Sequence, residues 1–247
     1  MRPLLLALLF AGCVDDLTDV NEGTVESEVL TANKLAANKL AASSLESREL
    51  MATPDGRDVM SYIVGCALPT GASVTLTDPL GASYTYPGWI GLAPSWVTAP
   101  PTVSQRRWVS ACVLARTNLY GISVQISMRN VNNVALAVSG TEAADFSIPE
   151  AAFYGDLFAP VPVMYACANR HFASSTIAAV ESFRACARSA DGVTTECGFT
   201  FTGFCGATYT DGRAKACGCS SGSYTPCKGS STNYPETITV YLTKPAT

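Results

Sequence analysis

The chain has 247 residues, 48% of them hydrophobic and only 15% charged, against roughly 25% charged in ordinary soluble chains; that is enough apolar material for one large or two small domains. The net charge of −4, with no Lys/Arg cluster beyond Arg106-Arg107, speaks against nucleic acid as a partner. One histidine and ten cysteines move attention from imidazole chemistry to sulfur.

Taken in chain order, Met1-Arg2 and the apolar residues 4–11 read as a signal peptide. The run is far short of the roughly 20 residues a spanning helix needs. It ends in Phe10-Ala11-Gly12-Cys13, which resembles a bacterial lipobox, with Phe10 where that pattern prefers Leu. The expectation is a signal peptide over 1–12, removed before Cys13, whose sulfur then carries diacylglycerol and, with palmitate-type chains, anchors the protein. Two or three acyl chains, at roughly 0.8 kcal/mol per buried methylene, hold where one does not. Simple secretion and a structural Cys13 are the alternatives. Val14 does not supply the aspartate linked to inner-membrane retention, so the outer membrane is expected.

Residues 13–29 carry only acidic charges, from Asp15 to Glu28, and read as a solvated tether. A calcium role is disfavoured because the Gly-centred spacing of dedicated loops is missing. In residues 30–50 leucine recurs at Leu30, Leu35, Leu40, Leu45 and Leu50. A step of five turns a helix by about 140°, so no single stripe forms. A partly helical spacer is expected, with a β-coil of the pentapeptide type or a partner-binding repeat as alternatives.

A single globular domain is expected over 51–247. Thr53 reads as an N-cap, Pro54 as N1 and Asp55 as a first-turn acid, with Val59, Ile63, Cys66 and Ala67 on one face. "SVTLT" and "ASYTYP" flank Asp78-Pro79-Leu80-Gly81 and predict a hairpin. "WVSACVLAR" fits a helix or a buried strand. "GISVQISM" alternates and predicts a strand with Ile122, Val124, Ile126 and Met128 inward. "PEAAFYGD" predicts one or two helical turns closed by Gly155. "VPVMYACA", "GFTFTGF" and "ETITVYL" predict strands. The sum is α+β: a mostly antiparallel sheet, one or two packed helices, and a loop-rich C-terminal part stapled by disulfides, with 166–230 a possible subdomain.

Ten cysteines behind a leader indicate an oxidising compartment. If Cys13 is lipidated, nine remain, so one is left over. Connectivity does not follow from sequence. Proximity along the chain suggests Cys66–Cys112, Cys167–Cys186 and Cys197–Cys205. Cys227 then takes Cys217 or Cys219, here assigned to Cys219, and the other is the odd thiol. A metal centre on Cys217 and Cys219 is disfavoured, because Cys-x-Cys is not the spacing of common zinc sites. No cofactor or metal is expected.

His171, in "CANRHFASS", is the only imidazole any Ser-His or Cys-His mechanism could use. Ser174 and Ser175 are too near it in sequence to imply a triad, no Gly-x-Ser-x-Gly elbow occurs, and Cys112 reads as a bridge rather than a nucleophile. His171 is expected on the surface or in a loop, and no catalytic residue is assigned. A glycosidase would need a carboxylate pair, and none stands out. Trp89, Trp96 and Trp108 could stack on a sugar, but read better as residues packed over a core.

The segments "NKLAANKLAASSL", "DGRDVMSYIVGCALP", "GLAPSW", "WVSACVLARTN", "AFYGDLF" and "CGFTFTGFC" resemble uncharacterised predicted lipoproteins of myxobacteria. The resemblance implies envelope placement and one stapled domain, and implies no activity, cofactor or partner. The expected function is therefore a lipid-anchored envelope domain that binds or scaffolds, with an envelope protein or glycan as partner. The alternative is a surface hydrolase acting on polysaccharide or peptide.

Overall fold

The computed structural model describes residues 35–36, 47–169, 185–206 and 216–243, and every structural statement concerns these. Cys13, the acidic tether, His171, Ser174 and Ser175 lie outside them.

Leu35–Ala36 forms β1 and Ser47–Leu50 a helical turn, α1. The helix α2, Pro54–Ala67, begins where the sequence says it should: Thr53 Oγ1 accepts a hydrogen bond from Gly56 N, and Pro54 occupies the first turn. Val59, Ile63, Cys66 and Ala67 are all buried. Packing reaches back to Leu50, also buried, and Gly56 is needed there, since a Cβ would lie 2.2 Å from Leu50 O.

The hairpin forms as expected, with β2 at Ser73–Thr77 and β3 at Ser83–Pro87. "WVSACVLAR" resolves as a helix, α3, Val103–Ala115. A capping box decides it: Thr102 Oγ1 accepts from Gln105 N, and Gln105 Oε1 accepts from Thr102 N, which satisfies two backbone donors at once. The signal Thr-x-x-Gln was in the sequence. Its weight is clear only once the apolar half of the helix, Val109 to Ala115, is seen to be buried all round.

Two expectations are corrected. "PEAAFYGD" is not helical but lies within the central strand β6, Ile148–Asp156. Ala151 and Phe153 enter one core cluster and Ala152 and Tyr154 another, a period of two that only a strand delivers. Burial on both faces overrides the helix propensity of Glu-Ala-Ala. "GISVQISM" pairs only at β5, Ser127–Arg129, while Ile122 is exposed. Upstream, Asn118 of β4 (Thr117–Asn118) captures the backbone instead. Its Oδ1 accepts from Tyr120 N and Ile122 N, and its Nδ2 donates to Ile122 O. Side-chain bonds of this kind compete with a sheet ladder.

After the turn α4, Gly140–Asp145, and β6 come β7 (Val163–Ala168), β8 (Thr200–Phe204), β9 (Cys227–Lys228), β10 (Asn233–Tyr234) and β11 (Thr237–Leu242). The main sheet has the order β5-β11-β6-β7-β8, antiparallel except for β7 and β8. The fold is α+β. One sheet face carries Phe153, Ala166, Ile238 and Val240 into a core shared with α2 and α3. The other carries Ala152, Tyr154, Tyr165 and Cys167 into a second core shared with the cystine-rich C-terminal segment. No described helix is long and apolar enough to cross a membrane.

Candidate functional site: a tyrosine and cystine layer with a charged rim

The second core is built on one cross-strand pair. The β6–β7 register sets Tyr154 opposite Tyr165, and their rings stack at 5.4 Å. Tyr234, delivered by β10, closes the group at 5.6 Å from Tyr154 and 5.8 Å from Tyr165. The Tyr154 hydroxyl lies 2.8 Å from both Thr202 Oγ1 and Lys228 O. Burial, the largest cause, pushes its pKa well above the usual phenol range; the Thr202 bond opposes this. Tyr234 is raised too, first by burial, then by Tyr165, while Arg107 lowers it.

Two disulfides share this core and two lie in the main one. Cys167 is bonded to Cys205, and Cys217 to Cys227. Cys66 is bonded to Cys112, tying the end of α2 to α3, and Cys186 to Cys197. The pairing Cys66–Cys112 is the one expected. Cys167–Cys186 and Cys197–Cys205 are corrected. The β7–β8 pairing carries Cys167 toward Cys205, because Cys205 N donates to Ala168 O. Cys227 takes Cys217 rather than Cys219, since the two residues face each other in an isolated antiparallel bridge. Cys219 is also disulfide-bonded, so the odd thiol expected at this pair is not there. Cys112 is spent in its bridge and is no nucleophile. Cys167, Cys205 and Cys217 do converge, with sulfurs within 4.8 Å of one another. All three are oxidised, and a metal takes thiolates.

A charged rim borders the tyrosines. Arg106 and Arg107, adjacent on α3, reach different acids: Arg106 Nη2 lies 3.7 Å from Asp156 Oδ2, and Arg107 Nη1 lies 3.9 Å from Glu236 Oε2. These are charge contacts, longer than hydrogen bonds. Both carboxylate side chains are buried, and the Arg107 guanidinium also covers the Tyr234 ring at 4.9 Å. Asp156 and Glu236 both act to raise the Tyr234 pKa, so two acids flank one tyrosine. Each is matched by its own arginine. The rim thus sets two arginine–carboxylate pairs at the edge of the tyrosine layer, with both acids buried. The sequence exposed the Arg106-Arg107 pair but not its acids, which are supplied by a strand end and a loop far along the chain.

The tryptophans do not form a shared platform. Trp96 and Trp108 are half-buried against the main core. Trp89 is 38% exposed, but the buried Arg116 guanidinium lies 5.2 Å from its ring centroid and 4.4 Å from that of Tyr62. Burial lowers the Arg116 pKa to about 10, and Tyr62 acts in the opposite direction.

Comparison with known proteins finds no matching family, no similar curated protein and no similar solved structure.

Proposed function

We propose that this is a lipid-anchored protein of the bacterial cell envelope, a binding or scaffolding domain rather than an enzyme, held through Cys13 and directed at an envelope protein or glycan. The observation that carries the extracytoplasmic part of the reading is that the described cysteines are disulfide-bonded; the anchor at Cys13 rests on the leader-like start alone, and the bond at Cys219 counts against it. Such oxidation suits an extracytoplasmic compartment and agrees with the leader-like start. Asp156 and Glu236, which border the tyrosine layer, are each engaged by an arginine, which disfavours them as a general acid and base.

Mass spectrometry of protein from native membranes tests the anchor. The expected species begins at Cys13 and carries a diacylglycerol adduct, and Cys13→Ser releases the chain from the membrane. Acylation of Cys13 and an intramolecular bond at each of the ten cysteines exclude one another. A peptide linking Cys219 to Cys13 in the mature protein therefore ends the anchor. Envelope fragments captured by the immobilised protein and recovered intact support binding. Steady release of cleaved glycan or peptide overturns it in favour of a surface hydrolase.

A further inference from the structure

We propose that Cys167–Cys205 and Cys217–Cys227 form a thiol–disulfide relay. When a dithiol reductant opens one bridge, Cys167 and Cys217 join, and the four sulfurs settle as one new bridge and two thiols, Cys205 and Cys227. The inference stands on the arrangement of the sulfurs and is independent of the anchor at Cys13.

Cys167 Sγ lies 3.1 Å from Cys217 Sγ although each is bonded elsewhere. With Cys205 Sγ they form a group in which all three sulfurs lie within 4.8 Å of one another. A disulfide bond is about 2.05 Å long, so the facing pair needs to close by only about 1 Å. All four cysteines belong to the core on the tyrosine face of the sheet. Cys66–Cys112 and Cys186–Cys197 belong to the main core and take no part.

Exchange proceeds by attack of a thiolate on a disulfide sulfur. Cys205 is the most exposed of the four residues, at 5%. The first thiolate of the reductant therefore bonds to Cys205 Sγ and expels Cys167 as a thiolate. Cys167 attacks Cys217 Sγ. The Cys167–Cys217 bond forms, the Cys217–Cys227 bond breaks, and its electron pair leaves on Cys227. The second thiol of the reductant then attacks the mixed disulfide, departs as a cyclic disulfide and frees Cys205. The dithiol has lost two electrons and two protons, and Cys205 and Cys227 have gained them. Entry through the other bridge reaches the same products, since a Cys217 thiolate meets Cys167 and expels Cys205.

A partner for the leaving group is already in place. Cys227 Sγ lies 3.5 Å from Tyr224 O, a carbonyl that can accept the new S–H. Tyr224 is fixed there, because its N–H donates to Thr239 Oγ1 at 2.8 Å and its hydroxyl accepts from Asn169 Nδ2. The exchange also changes what is tied to what. The resting bridges span 38 and 10 residues. The new one spans 50 and joins β7 directly to the C-terminal segment. A longer closed loop constrains the unfolded chain more, so the partly reduced protein keeps that segment on the sheet while Cys205 and Cys227 are released. The device is a redox switch.

The test titrates the purified, oxidised full chain with dithiothreitol in the absence of denaturant. Each step is stopped with acid, its thiols are alkylated, and its peptides are mapped without reduction. The first loss of either bridge should coincide with a peptide linking Cys167 to Cys217, and Cys205 and Cys227 should gain label in equal amounts. Cys205→Ser starts the relay without reductant, and its label is expected on Cys227 rather than on Cys167. Loss of either bridge without the Cys167–Cys217 peptide overturns the proposal. So does a new link from Cys167 to any cysteine other than Cys217, or labelling of Cys167 in folded Cys205→Ser. The wild-type titration decides alone if that variant does not fold.

Discussion

Cys167 Sγ lies 3.1 Å from Cys217 Sγ, although each belongs to a different bridge. Two cystines therefore touch within the core that also holds Tyr154 and Tyr165, and together they fasten the C-terminal segment to the sheet. Non-reducing peptide mapping should recover Cys167–Cys205 and Cys186–Cys197, and not Cys167–Cys186. In the chain-entropy picture, replacing Cys167 and Cys205 by alanine costs about 4 kcal/mol, and replacing Cys217 and Cys227 about 3 kcal/mol. Because the bridges are in contact, removing both should depart from the sum by about 0.5–3 kcal/mol in denaturant unfolding.

Gly155 is set by a close approach. Its φ is +145°, and a Cβ would sit 2.1 Å from Val163 O on the neighbouring strand. Gly155→Ala is expected to destabilise by more than about 3 kcal/mol or to prevent folding. Gly192, with φ +72° and nothing within 4 Å of a Cβ, provides the comparison. There alanine meets only backbone strain, about 1–2 kcal/mol. Equal unfolding midpoints for the two variants would remove the steric argument.

Tyr154 predicts an alkaline limit to stability. Its folded pKa is raised, chiefly by burial, above the ordinary value of 10.0. The unfolded chain therefore loses this proton first as pH rises. The contribution is fully present below about pH 10 and declines above it. Phenolate absorbance should show Tyr154 ionising only as the fold is lost. Tyr154→Phe should flatten that alkaline decline while costing about 1–3 kcal/mol at neutral pH through the lost hydroxyl bonds. An unchanged alkaline profile in Tyr154→Phe would assign the effect to other tyrosines.

Arg116 is 3% exposed and lies over both Tyr62 and Trp89. Lysine keeps the charge but not the flat, stacking guanidinium. Arg116→Lys should lower stability by about 1–2 kcal/mol and shift the Trp89 fluorescence. A thermal melt that matches wild type would show that the stacking is energetically idle.

By itself the sequence determined whatever is written in neighbouring residues. Thr53-Pro54-Asp55 starts α2, because capping is satisfied within one turn. "SVTLT" and "SYTYP" around Asp78-Pro79 make a hairpin, because the turn and the alternation are both local. The strands at Val163–Ala168 and Thr237–Leu242 were legible for the same reason. Tertiary structure decided the rest. "PEAAFYGD" prefers a helix until β11 and β7 pair with its two edges and the helices and the cystine-rich segment bury its two faces, which makes a period of two the better arrangement. The bridge Cys167–Cys205 was not readable from spacing, because the β7–β8 pairing brings those sulfurs together over 38 residues. The charged rim was equally hidden. Arg106 and Arg107 are adjacent in the chain, but their acids, Asp156 and Glu236, come from separate elements, and only packing of α3 against the sheet end delivers them.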